Sequence, residues 1–338
     1  FVSGDKSLDD ILLRPASYFE KHNIKFIFDT TVESIDCAEK RLSCSDGEER
    51  QYEKLALATG ARVRKIELSG SDLAGIHYLR NASDAEAIRE DASNAKNAVI
   101  VGGGYIGLEL AASFRKAGIN VTVLEMAPRV LARVAAAEVA EFYTRVHREE
   151  GVDVVTNTSA KSFVGNERVE SVLGTDGKTY PADIVIIGVG VIPNTELAQA
   201  AGLKIDNGIV VNEFAQTSDP YIVAAGDCTF HPNQLLGREL RLESVPNATE
   251  QAKSAAASLC GNERLYATIP WFWSDQFDLK LQIAGINEGY DNIIVRGDAS
   301  HSRSIAVFYL KAKQVIAVDC INRAPEFAAI KKALTKQL

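Results

Sequence analysis

The run Gly102-Gly103-Gly104-Tyr105-Ile106-Gly107 constrains this chain more than any other feature. It fits G-x-G-x-x-G, a pattern that is weak alone and informative when it follows a strand and opens a helix. Residues 98–101 are a continuous apolar run, and 105–117 carry helical periodicity that stops at Gly118, a good left-handed helix stop. A second apolar strand at 120–124 leads into Glu125. In such a βαβ unit Gly102 allows the tight turn, Gly104 lets the backbone approach a pyrophosphate, and Gly107 lets the helix pack close to the strand. Free N–H groups and the helix dipole then face the phosphates, with Ile106 in the same first turn. An acidic residue about 20 positions beyond the loop accepts hydrogen bonds from ribose hydroxyls and repels a 2′-phosphate. Glu125 stands there, so the unit reads as a dinucleotide site preferring NADH to NADPH. Arg129 and Arg133 are either ribose or phosphate contacts or a solvated rim.

The chain has 338 residues, enough for two or three domains. No stretch approaches the roughly 20 apolar residues of a membrane span, and no basic segment followed by an apolar one opens the chain. The expectation is a soluble cytoplasmic protein with no membrane role. A net charge of −8 argues against a nucleic-acid-binding surface. Cys37, Cys44, Cys228, Cys260 and Cys320 include no Cys-x-x-Cys pair, and with 5 histidines no metal cluster is expected. The first residue is Phe1 rather than Met, which suggests a missing piece in front.

Along the rest of the chain, residues 15–22 read as a short helix, followed by apolar alternation at Ile24, Phe26, Phe28, Val32 and Ile35. A hairpin is expected over 41–52 with its turn at Asp46-Gly47. Residues 55–58 form a buried strand ending at Thr59-Gly60. Helix 135–150 and strands 152–155, 160–164, 168–173 and 184–187 complete the central region. Beyond it come helix 196–201, strands 209–211 and 221–225, and a long helix from about Pro246 to Leu259. Residues 263–338 change character: strands at 279–284, 292–296, 305–310 and 315–321 precede a helix at 325–335, as in a separate α+β domain.

Ala58-Thr59-Gly60-Ala61 and Ala225-Gly226-Asp227 each place small and polar residues at the carboxyl end of a strand, where open α/β sheets bind ligands. Either alone could be a plain turn. Together with the runs 102–109, Gly188-Val189-Gly190-Val191-Ile192-Pro193-Asn194, Thr217 to Asp227, Glu243-Ser244-Val245-Pro246-Asn247-Ala248 and Trp271-Phe272-Trp273-Ser274-Asp275-Gln276, they give the chain a likeness. It resembles the FAD- and NADH-dependent ferredoxin reductases, which share the two-dinucleotide-domain fold of glutathione reductase.

The resemblance implies an α/β fold with two Rossmann-like dinucleotide-binding domains and a C-terminal α+β domain. Residues 1–66 and 192–262 would form the FAD domain, 67–191 the NAD domain, and 263–338 the C-terminal interface domain. The family begins with a further glycine motif and a flavin-side lysine upstream of Phe1, and it continues past Leu338. The FAD domain is therefore expected to be incomplete at its N-terminus, and the C-terminal domain trimmed.

The same resemblance implies roles. Asp227, after Gly226, would hydrogen-bond the ribityl–phosphate part of FAD, beside Ala58, Thr59 and Gly60. Arg64 would be a positively charged FAD contact, with Arg62 the alternative. The helix from Pro246 would aim its N-terminus at the flavin pyrimidine edge, with Val245 and Pro246 along it and Trp273 and Gln276 touching the flavin. About half a positive charge at that helix end would stabilise reduced flavin. Tyr105 would cover the flavin and yield to nicotinamide, Glu109 would face the carboxamide, and Val189 and Gly190 would line the pocket.

The resemblance implies that hydride would pass from NADH to FAD, with the protein supplying orientation and electrostatics. With no cysteine pair to reduce, electrons would leave FAD one at a time for a 2Fe–2S ferredoxin serving a bacterial cytochrome P450. Lys253, Lys280 and Arg296 are candidate docking charges for that acidic partner. The alternatives are a rubredoxin reductase or the reductase component of a ring-hydroxylating dioxygenase. Many dioxygenase reductases carry Trp where this chain has Val245, which favours the P450 system. An NADH oxidase or peroxidase, or a redox-controlled binding protein like apoptosis-inducing factor, would use the same fold.

Overall fold

The computed structural model describes residues 7–234 and 236–336. Two compact units emerge. One is built mainly from Val63–Val191 and Trp273–Lys331, the other from Leu12–Arg62 and Ile192–Phe272.

The first unit is organised around a five-stranded parallel sheet in the order Ile76–His77, Ile184–Ile187, Asn97–Val101, Asn120–Glu125, Val152–Thr156. Its two central strands are apolar along their length: 98–101 and 184–187 are buried throughout, as a parallel sheet covered on both faces requires. One face is covered by helices Tyr105–Lys116 and Ala137–Glu149, which bring in Leu108, Ala111, Phe114, Val139, Phe142 and Tyr143. Each helix is followed by a glycine with φ of +84° or +85°, Gly118 and Gly151, as their sequence positions suggest. The other face carries a small antiparallel meander, 160–165, 169–174 and 179–181, with Phe163 and Val172 packed on Val99, Val101 and Ile187.

The strands after residue 270 form a five-stranded antiparallel sheet, Trp271–Gln276, Leu279–Gly285, Gln314–Ile321, Ile305–Lys311, Asn292–Arg296 in spatial order. Leu279, Leu281, Ile305, Val307 and Tyr309 share one continuous core with Val139, Phe142 and Tyr143 of the helical layer. Burying an aliphatic side chain of this size contributes about 1.5–3 kcal/mol, so this shared core holds the C-terminal sheet firmly to the helices.

In the second unit the expected hairpin is present as Arg41–Cys44 and Glu49–Gln51, with Gly47 at φ +81° in the turn, and Val32–Asp36 adds a third antiparallel strand. Leu55–Leu57 pairs in parallel with Ile222–Ala224. Ile35, Leu57, Ile209, Ile222 and Ala224 make the core, and helix Val245–Leu259 packs Ala255 beside Val223.

Two local expectations differ from the structure. The alternation at Ile24, Phe26 and Phe28 forms no strand, and Phe28 is 76% exposed. Alternation specifies which face is apolar, but a strand also needs a hydrogen-bonding neighbour, and none pairs there among the described residues. Conversely, helix Ala82–Ala92 has little apolar periodicity, with only Ala85 and Ile88 buried. It is started instead by a capping box in which Asn81 and Asp84 satisfy each other's backbone N–H groups.

Candidate dinucleotide and flavin sites

The glycine loop is dictated by close approach. A Cβ on Gly102, where φ is +113°, would lie 2.3 Å from the carbonyl oxygen of Gly188. On Gly107 it would lie 2.1 Å from the carbonyl oxygen of Gly102. At Gly104 a Cβ would meet nothing within 4 Å. Two glycines are therefore required by backbone packing, while the third faces open space at the head of helix Tyr105–Lys116. That helix has no side-chain cap and no acid in its first turn. Its N–H groups and dipole are thus left to an anion. Ile106 is 48% exposed in the same turn. These residues fit the pyrophosphate of a dinucleotide.

Glu125 ends strand Asn120–Glu125 beside the loop. One carboxylate oxygen accepts from Gly103 N–H and the other from Ala127 N–H, both at 2.7 Å. The carboxylate is thereby fixed at the loop that it was expected to serve.

Gly188-Val189-Gly190 follows the neighbouring strand Ile184–Ile187. Gly188 N–H donates to Val101 at 2.8 Å, which holds the two strand ends together. Gly190 has φ +104°, and its carbonyl accepts from the Arg64 N–H at 2.9 Å. A guanidinium nitrogen of Arg133 lies 3.9 Å from the place of a Gly190 Cβ, which brings these two expected site residues together. Arg129 donates to the Ala135 carbonyl at 2.8 Å, whereas Arg133 is the arginine next to Gly190.

Tyr105 starts the helix with its ring half-buried on the core and its hydroxyl turned inward. Burial, then the nearby Asp319, push its phenol well above the ordinary range. Glu109 lies one turn on. Burial raises its carboxyl, while a hydrogen bond from the Ser274 hydroxyl, at 2.5 Å, acts against that.

The second unit gathers the other group of residues. The loops after Leu57 and Ala224 leave one parallel strand pair at the same end, the end where α/β sheets take ligands. Thr59 donates through its hydroxyl to the Asn194 carbonyl at 2.7 Å, and the Asn194 amide donates back to Thr59 O at 2.8 Å. Asn194 N–H donates to Gly60 O at 3.0 Å, and Gly60 has φ +62°. The Arg62 guanidinium is held by Asn194 at 2.9 Å and Glu196 at 2.7 Å, whereas Arg64 is exposed.

Gly226, at φ +88° and followed by Asp227, donates its N–H to the buried Gln251 side chain at 2.8 Å, and Thr229 donates to the same oxygen. Gln251 sits on helix Val245–Leu259. Ser244 caps that helix by accepting from Asn247 N–H at 3.2 Å, and Pro246 occupies its first turn. Val245 is 61% exposed, and the first turn contains no acid. The positive end of this helix and the Gly226 loop are thus tied together by one glutamine. Ala58, Thr59, Gly60, Gly226 and the helix start suit a phosphate-bearing flavin, on the strength of their small residues and of the acid-free positive end of the helix.

Trp273 is 39% exposed on its strand. Gln276 is fully buried, and its amide is engaged by Ser274 and His147. Of the candidate docking charges, Lys253 pairs with Glu250, Arg296 lies 4.0 Å from Glu326, and Lys280 is exposed on strand Leu279–Gly285. Among the described residues no cluster could hold a metal ion, and the five cysteines are unpaired. Sequence reasoning missed His147 and Gln251 and gave Ser274 no role. A buried polar residue on a helix carries no signal until its partner in another segment is known.

Residues 5–252 match the family described as pyridine nucleotide-disulphide oxidoreductase, and residues 271–338 match the family described as reductase C-terminal. Putidaredoxin reductase CamA of Pseudomonas putida is 44% identical, over 100% of this chain and 81% of its own length. A ferredoxin–NAD(P)+ reductase of a Sphingomonas species is 38% identical, over 98% of this chain and 81% of its own. The crystal structure of the covalent putidaredoxin reductase–putidaredoxin complex superposes with a TM-score of 0.96 at 44% identity, covering 100% of this chain and 82% of that one. Among the described residues no helix is long and apolar enough to cross a membrane. A glycine loop that backbone contacts make obligatory, joined to likeness along the whole chain, has one reading: the protein belongs to the pyridine nucleotide-disulphide oxidoreductase family, as an oxidoreductase that uses FAD and NAD(H).

Proposed function

We propose that this protein is an NADH:ferredoxin oxidoreductase that passes electrons from NADH through FAD to an acidic 2Fe–2S ferredoxin serving a cytochrome P450. The observation that carries the reading is the glycine loop: open at Gly104, sterically closed at Gly102 and Gly107, and joined to Glu125. When bound, NADH supplies a hydride and FAD accepts it and can release single electrons.

The chain's own residues do the rest. The head of helix Tyr105–Lys116 holds the pyrophosphate, with Gly104 giving the backbone room. Glu125 accepts from the ribose hydroxyls and disfavours a 2′-phosphate. Arg133, Val189 and Gly190 bound the nicotinamide end, where Tyr105 covers the reacting face and Glu109 accepts from the carboxamide. On the flavin side, Thr59, Gly60, Arg64, Gly226 and Asp227 take the phosphate and ribityl portion. The positive end of helix Val245–Leu259 stabilises charge on the reduced ring.

Residues 1–66 with 192–262 are assigned to FAD, 67–191 to NAD and 263–338 to the docking side, where Lys280 and Arg296, with Lys253, meet the acidic carrier. With no Cys-x-x-Cys pair in this sequence, direct exit of electrons from flavin is the reading favoured, and a cytoplasmic enzyme is compatible with there being no helix among the described residues long and apolar enough to cross a membrane. Exposed Val245, in a place where dioxygenase reductases often carry Trp, favours the P450 system. The test is cytochrome c reduction by the FAD-loaded enzyme with NADH. It should be slow alone and rise on adding a 2Fe–2S ferredoxin; equally fast reduction without the carrier contradicts the reading.

A further inference from the structure

A chain of buried side-chain hydrogen bonds runs through the first unit and ends on Glu109. Ser274, on strand Trp271–Gln276, is 1% exposed, and its hydroxyl donates to Glu109 Oε1 at 2.5 Å. The same hydroxyl oxygen accepts from the Gln276 amide nitrogen at 3.1 Å. The amide oxygen of Gln276, which is 0% exposed, meets His147 Nε2 at 2.8 Å. An amide oxygen can only accept, so His147 carries its proton on Nε2. Burial holds the His147 imidazole down to about 4, neutral at ordinary pH.

With the Gln276 amide in this orientation, the polarities in the chain all run one way. His147 donates to Gln276, Gln276 donates to Ser274, and Ser274 donates to Glu109. A serine held as an acceptor on one side must turn its proton to the other. The end group is a carboxylate oxygen one helical turn past Tyr105.

We infer that Ser274, oriented by Gln276 and His147, is a positioning residue that holds Glu109 in the acceptor state needed to receive the nicotinamide carboxamide. This rests on the reading above in which Glu109 faces the carboxamide. The other ionisable groups around Glu109 are few. Asp275, on the same strand as Ser274, raises the Glu109 carboxyl by its charge and lowers it by its N–H. Tyr143, on helix Ala137–Glu149, has a phenol pushed well above its ordinary range and stays neutral. Ser274 is the one neighbouring side chain whose hydrogen bond favours the ionised form.

The test is NAD+ binding to the FAD-loaded enzyme by calorimetry between pH 5 and 9, for the wild type, Ser274→Ala, Ser274→Thr and Glu109→Gln. Ser274→Ala should weaken binding on the order of tenfold, because the Glu109 carboxylate loses a charge-assisted hydrogen bond. Its loss of binding on acidification should also begin at higher pH than in the wild type, because the Glu109 carboxyl loses its donor. Ser274→Thr, which keeps the hydroxyl, should restore both. A merely structural serine would lower thermal stability without moving the pH limb. If Ser274→Ala does not fold, Ser274→Cys, of similar size and a weak donor, should show the same displaced limb. An unmoved limb in the serine variants, with weakened binding in Glu109→Gln, overturns this inference and leaves the Glu109 reading standing. Unchanged binding in Glu109→Gln overturns both.

Discussion

The glycine-loop unit and the unit proposed to hold the flavin are built by different means. In the first, one contiguous stretch does the work, and backbone sterics enforce it: Gly102 and Gly107 cannot bear a Cβ, and Gly104 opens on free space. In the second, three distant segments meet and side chains hold them. Thr59 and Asn194 tie two loops, and Gln251 ties the Gly226 loop to helix Val245–Leu259. A site made by backbone contact is written locally in the sequence. A site made by long-range hydrogen bonds is visible only when the segments are seen together.

The largest effect should come from breaking the steric half. Gly107→Ala forces a Cβ onto the Gly102 carbonyl, a clash that neither backbone can relieve without moving the loop. NAD+ affinity should fall by on the order of a hundredfold or more, while FAD content stays unchanged in the purified enzyme. Loss of flavin as well would erase the distinction between the halves.

The halves should also differ with pH. Asp319, fully buried in the first unit, has its carboxyl pushed up to about 7 by burial, despite a hydrogen bond from Tyr309. A raised carboxyl contributes stability that is present below its unfolded value near 3.8 and is lost as pH rises through about 7. Asp319→Asn should therefore match the wild type near pH 4 and exceed it by on the order of 2–4 kcal/mol at pH 8, read by urea unfolding. A constant difference across pH would contradict the buried-carboxyl account.

The side-chain half is probed at Gln251, which is 1% exposed. Gln251→Ala leaves the Gly226 N–H and the Thr229 hydroxyl without this acceptor, at a cost of about 1–3 kcal/mol. Flavin retention after dialysis should drop while NAD+ binding holds. Smaller still is the effect of Glu125→Gln. It removes the charge that opposes a 2′-phosphate, while its amide oxygen can still accept one of the two backbone N–H groups, and the NADH/NADPH ratio of kcat/KM should fall about tenfold. An unchanged ratio would remove Glu125 from the ribose site.

This contrast also explains what was legible in the sequence. Helix stops at Gly118 and Gly151, the Gly47 turn, and the buried strands at 98–101 and 184–187 follow from local chemistry, and they stand where periodicity put them. Helix Ala82–Ala92 escaped because its signal is a capping box and not an apolar stripe. Phe26 and Phe28 alternate like a strand but form no strand; their rings stack on each other, and Phe26 meets Phe19 edge-on. Gln276 is expected to touch the flavin from its place in the aromatic run, and its burial against His147, 129 positions away, could not be read there. The loop at Gly102 could be read from six residues; the Glu109–Ser274 contact joins residues 165 positions apart.

The most direct test of the account is anaerobic stopped-flow mixing of the FAD-loaded enzyme with NADH and, separately, NADPH. NADH should bleach the flavin absorbance in a single fast phase, NADPH should do so far more slowly, and added 2Fe–2S ferredoxin should then restore the absorbance in two one-electron steps. Bleaching by NADPH at least as fast as by NADH, or flavin that NADH leaves oxidised, would contradict it.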